Sequence, residues 1–312
     1  MSPRAQIVLI TLAAAGLYLG IRQLPTGTNL SHNDFRVSGG NSIEFCDPSN
    51  PQFIPVVAVR SPVTLTVDTP AGGAVSGQPV EVTATLLTSS GKPIAPADLL
   101  VTHTRPLHLL LLDPELQDYQ HVHPEPGPVP GSWIFRYTPR RAGTYRVFAD
   151  FTPAATARGL YASADLTVSA PAAAVAGGAE APGAGAPPAS AGENRTLTYA
   201  SEGYAFTLEA GSLPVRAQTQ AEFRFRVSRK DGSPAPLEPV MDALAHLVAV
   251  DADRSGFAHL HPGNLAELPP GEIPRELVFQ VTIPKAGRYV IWAQVQIAGR
   301  DLYAPFWFDV AT

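Results

Sequence analysis

Cysteine, methionine and charged residues are all scarce in this chain of 312 residues. The single cysteine, Cys46, excludes a disulfide within the chain, and two methionines cannot supply the Met-rich spacing of a dedicated Cu(I) site. Charged residues amount to 16%, and the net charge of -5 leaves no basic stripe that could neutralise a phosphate backbone. We therefore expect no disulfide scaffold and no nucleic-acid partner.

The common motifs of enzymes are missing as well. No serine, histidine and acid stand together in a nucleophile-elbow context, and no glycine-rich phosphate loop follows a predicted strand. These patterns give no indication of acyl transfer or phosphoryl transfer. We predict that the protein is not an enzyme.

Proline and glycine, by contrast, are abundant, with 32 and 26 residues. This composition favours short strands and turns over helices. From Val63 onward, apolar residues alternate with polar ones in the period of a half-buried strand, and similar segments follow. The seven predicted strands are Val63 to Asp68, Val80 to Leu87, Leu107 to Leu112, Tyr119 to His123, Trp133 to Thr138, Thr144 to Phe151 and Tyr161 to Val168. Their density predicts an immunoglobulin-like β-sandwich.

The N-terminus carries a run of apolar residues from Ala5 to Ile21, flanked by Arg4 and Arg22. Its length is at the lower limit for a helix that crosses a bilayer. A cleavable signal peptide is the alternative, but the small residues that could precede a cleavage site fall inside the apolar run. We predict a retained single-pass anchor that holds the rest of the chain on the outer face.

Composition divides the chain into five parts. Residues 1–22 form the predicted transmembrane anchor, and residues 23–62 form an extended spacer or docking segment broken by glycine and proline. Residues 63–169 form the first β-sandwich. Residues 170–194 are almost wholly Ala, Gly and Pro and predict a linker. Residues 195–312 form the second β-sandwich, so the predicted fold class is all-β, with two tandem sandwiches behind one N-terminal helix.

The second domain repeats the first at a fixed offset. His108-Leu109 recurs as His246-Leu247, and His121-Val122-His123-Pro124 recurs as His259-Leu260-His261-Pro262. Both pairs are displaced by 138 residues, the difference between positions 108 and 246. Six of the eight histidines therefore belong to a duplicated His-x12-His-x-His-Pro pattern.

Strand geometry predicts that the three histidines of each repeat converge. His121 and His123 lie on the same face of a strand, about 7 Å apart, because side chains alternate with period two. A turn from Asp113 to Asp118 folds this strand back along the preceding one, so that His108 stands opposite His121 or His123. The same count places His246 beside His259 and His261.

Three neutral imidazoles suit Cu(II) or Zn, and we predict a metal site at His108, His121 and His123 and another at His246, His259 and His261. In the alternative interpretation, each histidine bonds a turn carbonyl or a carboxylate such as Asp113 or Asp251, and the pattern recurs only because the domain was duplicated. Outside the pattern, we interpret His32 and His103 as surface residues and Cys46 as a small buried hydrophobe.

Each repeat resembles the YtkA-like bacterial exported domains. The resemblance rests on His-Leu, an acidic turn, an aromatic residue, His-x-His-Pro and then Ala-Gly-x-Tyr, found at 108–145 and 246–289. It implies immunoglobulin-like sandwiches that handle copper or other heavy metals, and therefore a location on the periplasmic side of a bacterial inner membrane. The missing Met-rich strand departs from copper-trafficking relatives, and the absence of a sandwich cysteine argues against a blue-copper site.

The main alternative function is structural. An anchored accessory subunit could stabilise a larger respiratory or photosynthetic complex through its helix and its sandwiches, arranged as a stiff periplasmic arm. Apolar residues from Phe53 to Val57 and aromatic residues from Tyr303 to Phe308 are the surfaces that could contact partner subunits, although most of these aromatics are expected in the core. A zinc hydrolase is disfavoured because two small sandwiches offer no evident general base or substrate cleft.

Overall fold

The fold was analysed in a computed structural model, which describes residues 2–23, 30–35, 52–58, 61–172, 195–263 and 274–312. The predictions for Cys46, for the linker beyond residue 172 and for most of the spacer lie outside the described residues. Helix α1 spans Pro3–Gln23, and two 3-10 turns span His32–Phe35 and Pro96–Asp98.

The described residues form 19 strands, named here in chain order. They are β1 (Val63–Asp68), β2 (Ala74–Val75), β3 (Val80–Thr88), β4 (Leu99–Leu100), β5 (Leu107–Leu112), β6 (Tyr119–Val122), β7 (Glu125–Pro126), β8 (Ser132–Tyr137), β9 (Gly143–Pro153), β10 (Leu160–Ser169), β11 (Thr196–Ser201), β12 (Tyr204–Ala210), β13 (Val215–Arg216), β14 (Gln220–Arg229), β15 (His246–Asp251), β16 (Phe257–Leu260), β17 (Leu277–Thr282), β18 (Gly287–Ile297) and β19 (Arg300–Ala311).

Helix α1 is apolar and exposed within the part of the chain that the structure describes. Its window Pro3–Gly20 has a mean hydropathy of 1.3 and is 0% buried. A helix of this length and composition can cross a membrane or serve as a signal sequence.

The first domain is a sandwich of two sheets. One sheet has the order β1-β3-β8-β7, and the other has the order β2-β10-β9-β5-β6 with β4 paired to β9. All seven predicted strands are present, and in β1, β3 and β8 apolar residues at alternate positions are buried against the opposite sheet. The strands that the pattern missed, β2, β4 and β7, have two residues each, too few to show a period.

The second domain repeats this architecture with sheets β11-β12-β14-β17 and β13-β19-β18-β15-β16. In both domains a two-residue strand pairs in parallel with the last long strand, β2 with β10 and β13 with β19. The predicted fold class, two tandem immunoglobulin-like sandwiches behind one N-terminal apolar helix, is confirmed.

The sheets that carry the histidines are buried on both faces. In β5 all six residues are buried, and in β15 the first five are buried. Leu109 and Leu247 face the core of their own domain, whereas Leu110 and Val248 face the other domain. The continuous apolar runs Leu109–Leu112 and Leu247–Val250 are typical of strands covered on both sides.

Apolar side chains from both sandwiches form one cluster between the two histidine-bearing sheets, which we call the interdomain cluster. Its buried members are Ile54, Val56, Leu110, Leu112, Leu116, Tyr119, Phe148, Val248, Val250, Phe257, Val290 and Trp292. Each large side chain removed from water in this way contributes about 1.5–3 kcal/mol. The two histidine-bearing sheets therefore pack face to face across the domain boundary.

Residues 52–58 precede the first domain in the chain but pack on the second. The backbone N–H of Ile54 donates to the carbonyl of Phe257 at 2.8 Å, and the N–H of Phe53 donates to the carbonyl of Thr282 at 3.0 Å. Phe53 enters the second core, 5.6 Å from the ring of Tyr289. We call residues 52–58 the strap.

The aromatic residues near the C-terminus are also used within the chain. Phe306 and Phe308 are buried in the second core, and Tyr303 and Trp307 pack against the interdomain cluster. Both segments that could have faced partner subunits, the strap and this aromatic end, thus cover the protein's own apolar surface.

Candidate metal centre

The first repeat brings its three predicted histidines together at the open end of the β5–β6 hairpin, away from its turn. Leu109 pairs with Val122, so the register places His108 opposite His123, one residue beyond the end of β6. His108 Nδ1 lies 3.2 Å from His121 Nε2 and 3.1 Å from His123 Nε2. We call these residues the first triad.

The partners of the opposite ring nitrogens set the tautomers of this triad. His108 Nε2 lies 3.0 Å from the carbonyl of Thr102, which can only accept, so this nitrogen carries the proton. His121 Nδ1 donates to Gln294 Oε1 at 3.0 Å, and the amide is oriented because Gln294 Nε2 donates to Asp301. In the neutral rings, His108 Nδ1 and His121 Nε2 therefore point lone pairs at each other.

The second repeat builds an equivalent arrangement from His246, His259 and His261, the second triad. His246 Nδ1 lies 3.3 Å from His259 Nε2. His246 Nε2 donates to the carbonyl of Val240 at 2.9 Å, and His259 Nδ1 donates to Asp150 Oδ2 at 3.1 Å. His261 Nε2 is buried and has no hydrogen-bond partner among the described residues.

Facing lone pairs repel unless a cation lies between them. Two nitrogens bound to one tetrahedral ion at about 2.0–2.1 Å lie about 3.3 Å apart, close to the separations in both triads. The ligand atoms of each triad all lie within 4.8 Å of one another. The unpartnered Nε2 of His261 and the opposed lone pairs fit a metal ion held by three imidazoles, a donor set that suits Zn or Cu(II).

Burial keeps all of these imidazoles neutral, the form that binds metal. Desolvation is the largest cause of the shift in every ring, with neighbouring histidines adding to it in most. It lowers the pKa of His123 to about 3 and that of His246 to about 4, and holds the pKa of His121 and His259 well below 6.5. Protons therefore compete weakly for these nitrogens at neutral pH.

The two triads lie side by side across the domain boundary. The ring centroids of His121 and His259 are 5.3 Å apart, and those of His108 and His259 are 5.9 Å apart. Each domain also supplies a polar group to the other domain's triad, since Gln294 supports His121 and Asp150 supports His259. The interdomain packing therefore determines the geometry of both triads.

His103 joins this cluster, so the prediction that it is a surface residue is wrong. Its ring stacks on that of His261 with a centroid distance of 3.8 Å and is only partly exposed. It reaches the second domain because positive φ angles at His103 and Thr104 turn the chain there. His32, by contrast, is exposed as expected.

The carboxylates named in the alternative interpretation bond elsewhere. Asp113 Oδ1 accepts from the backbone of Gln117 and Asp118, and Asp251 accepts from Ser255. The residues that support the rings, Asp150 and Gln294, were missed by the sequence analysis. Their equivalent positions in the two repeats could have indicated them. Asp150 pairs with His108, and Gln294 pairs with His246.

Comparison with known families agrees with the internal repeat. Residues 60–170 and 198–312 each match the family described as "Domain of unknown function (DUF8832)". The chain belongs to the DUF8832 family. Each DUF8832 copy contains one complete triad, and the first copy also contains His103. No curated protein matches the sequence.

Among solved structures, the DUF8832 chain is similar to sandwich proteins at low identity. A DUF4426 family protein from Pseudomonas aeruginosa PAO1 is 14% identical with a TM-score of 0.28, over 38% of this chain and 95% of that one. The Escherichia coli adhesin FdeC is 17% identical with a TM-score of 0.24, over 80% of this chain and 64% of that one. Fibronectin(III)-like modules of Clostridium thermocellum CbhA are 10% identical with a TM-score of 0.19, over 79% and 94%.

At these scores the likeness carries no argument about function. Tandem sandwiches of this kind and the N-terminal apolar helix are compatible with a membrane-anchored binding protein. The two triads, and not the sandwich fold, carry the chemistry described above.

Proposed function

We propose that this protein is a membrane-anchored, periplasmic metal-binding protein that holds Cu(II) or Zn in its histidine triads and does not catalyse a reaction. The observation that carries the proposal is the pair of facing lone pairs in each triad, with tautomers set by Thr102, Gln294, Val240 and Asp150. The resemblance of each repeat to YtkA-like exported domains supports the same chemistry.

Binding is favoured over catalysis by the surroundings of the rings. His108, His121 and His246 are buried, whereas His103, His123, His259 and His261 are partly exposed. Carboxylate and amide partners orient the rings, as outer-shell groups do in metal sites. An ion would be bound by neutral imidazoles and shielded from bulk solvent.

The test is metal retention by the full chain in mild detergent. Protein stripped with a chelator is loaded with Cu(II) or Zn(II), desalted and subjected to elemental analysis. Wild type and His32→Ala, which removes an exposed histidine outside the cluster, should retain metal. The double variant His123→Ala/His261→Ala removes one ligand from each triad and should lose it, with affinity at least about 100-fold lower.

Equal metal content in the wild type and the double variant would contradict the proposal. Near-ultraviolet circular dichroism of the buried tyrosines and tryptophans shows whether the double variant is folded. Metal should also raise the unfolding temperature of the wild type, because binding to the native state at 100 times Kd contributes about 2.7 kcal/mol.

The accessory-subunit alternative is tested with native membranes. Its two sequence supports, the strap and the C-terminal aromatics, are occupied within the chain. Extraction in mild detergent followed by size analysis should give a small metal-containing particle. A large particle with other subunits and no metal would favour the structural role.

A further inference from the structure

The two triads share one cluster of rings but differ in the groups that support them. Asp150 and Gln294 occupy the same register position in the two repeats, each opposite the first histidine of its own triad. Both reach across the boundary to the other domain's triad. His259 therefore bonds a carboxylate and His121 bonds a neutral amide.

This difference bears directly on affinity for a cation. A carboxylate that accepts the proton of an imidazole raises the basicity of the other ring nitrogen, which is the metal ligand, and its charge offsets that of the ion. An amide orients the ring equally well but adds no charge. The charge of Asp150 also favours a cation at His108, but its hydrogen bond goes to His259, so only the second triad has a ring held by this carboxylate.

The two triads also lie close together, since the ring centroids of His121 and His259 are 5.3 Å apart. Like charges repel more strongly away from bulk water, so an ion in one triad also opposes a second ion in the neighbouring triad.

We propose that the two triads form one two-ion centre that fills in a fixed order, with the first ion bound by His246, His259 and His261 and the second, weaker ion bound by His108, His121 and His123. This inference rests on the proposed metal binding and adds its stoichiometry, its order and the residue pair that sets the order. Asp150 and Gln294 are positioning residues, since each acts through the ring that it supports.

The order is tested by calorimetric titration of the full chain in detergent with Cu(II) alone. Wild type should show two steps. His123→Ala should keep the tight step and lose the weak one, whereas His261→Ala should lose the tight step. His32→Ala should match the wild type.

The charge swap tests the cause and does not remove any ligand. Asp150→Asn keeps a hydrogen-bond acceptor for His259 and should weaken the tight step about 10–100-fold. Gln294→Glu should strengthen the weak step, and it is combined with Asp301→Asn because Gln294 Nε2 bonds Asp301 at 3.1 Å. Asp301→Asn alone is the matched control: its amide oxygen can still accept from Gln294 Nε2, so the weak step should not become stronger without the new carboxylate.

The outcomes separate this inference from the proposed function. No binding in any protein would overturn both. A single ion per chain, two equal steps, loss of the tight step in His123→Ala, or an Asp150→Asn variant with unchanged affinities would overturn the two-ion order and leave metal binding intact.

Discussion

The turns of the two histidine-bearing hairpins, at 113–118 and 251–256, occupy equivalent positions in the repeats but are stabilised by different contacts. At the equivalent positions 118 and 256 the first repeat has Asp118 and the second has Gly256. Asp118 is fully buried, and its carboxylate accepts from Tyr145 Oη at 2.6 Å and from the backbone of Arg140 at 2.8 Å. Gly256 instead lies against the strap, where a Cβ would come 1.9 Å from the carbonyl oxygen of Ile54.

This contrast shows which features of the duplicated unit depend on the site. The three imidazoles, their register and the carbonyl that bonds the first ring are the same in both repeats. The means of fixing the turn are different, a buried carboxylate in one and an added backbone segment in the other. Besides the ring geometry, the repeats share the first aspartate of the turn, since Asp113 and Asp251 accept from the backbone N–H of Gln117 and Ser255 at equivalent positions.

Acidification should lower the free energy of unfolding through both repeats at once, and this is the largest effect that we expect. The folded rings have lowered pKa values, about 3 for His123 and about 4 for His246, whereas an unfolded histidine titrates near 6.5. The unfolded state therefore binds more protons as the pH falls below 6.5, and stability present above that pH is lost toward pH 4. Each such ring contributes up to about 1.4 kcal/mol per pH unit.

Urea unfolding of the metal-free protein between pH 7.5 and 4.5 measures this loss. His123→Gln/His246→Gln removes two of the titrating rings and should give a shallower dependence, and His32→Ala should follow the wild type. A free energy of unfolding that is flat or rises on acidification would show that the folded protein takes up protons at least as readily as the unfolded chain.

Asp118→Ala should remove the contacts that stabilise the turn of the first repeat. It removes the acceptor for Tyr145 Oη and Arg140 N in a fully buried site, and we expect a loss of about 2–3 kcal/mol at pH 7.5. Asp253→Ala removes an exposed carboxylate from the corresponding turn of the second repeat and should cost less than about 0.5 kcal/mol. Equal losses in urea unfolding would mean that the buried carboxylate does not stabilise the turn.

Gly256→Ala should displace the strap from the turn of the second repeat. The new methyl group overlaps the backbone of Ile54 and Pro55, so the strap must shift, at a cost of about 1–3 kcal/mol. Hydrogen exchange should show faster exchange at the N–H groups of Ile54 and Phe257, which pair across this contact. Gly263→Ala is a control for the change of residue type away from the strap, since a Cβ there meets nothing closer than 4.0 Å, and unaltered exchange at Ile54 would contradict the role of Gly256.

Tyr119→Phe should have the smallest effect on stability. It gives the first repeat a phenylalanine like its counterpart Phe257, so the two repeats become more alike. The hydroxyl of Tyr119 is buried without a hydrogen-bond partner among the described residues. Its removal should change stability by less than about 1 kcal/mol and in the stabilising direction. Tyr145→Phe, which removes a bonded hydroxyl, should destabilise the protein, and a destabilised Tyr119→Phe would reveal a partner for that hydroxyl.

Much of the fold could be predicted because the relevant signals are local. The alternation in Val63–Asp68 and Val80–Thr88 reports which side chains face the opposite sheet, and a spacing of two residues places His121 and His123 on one face. The offset of 138 residues identified the repeat and its histidines. His103 escaped this reasoning because it has no counterpart in the second repeat.

The sequence by itself determined the two sandwiches, the apolar N-terminal helix and the composition of each triad, since these depend on the period of strands and on the pairing of adjacent ones. Only the tertiary structure decided that the sheets pack face to face and that the strap crosses to the second domain. It also decided that Asp150 and Gln294 each bond a histidine in the triad of the other domain. These contacts join residues more than 100 positions apart, and they arise from burying two apolar faces against each other, a choice that no local pattern of residues encodes.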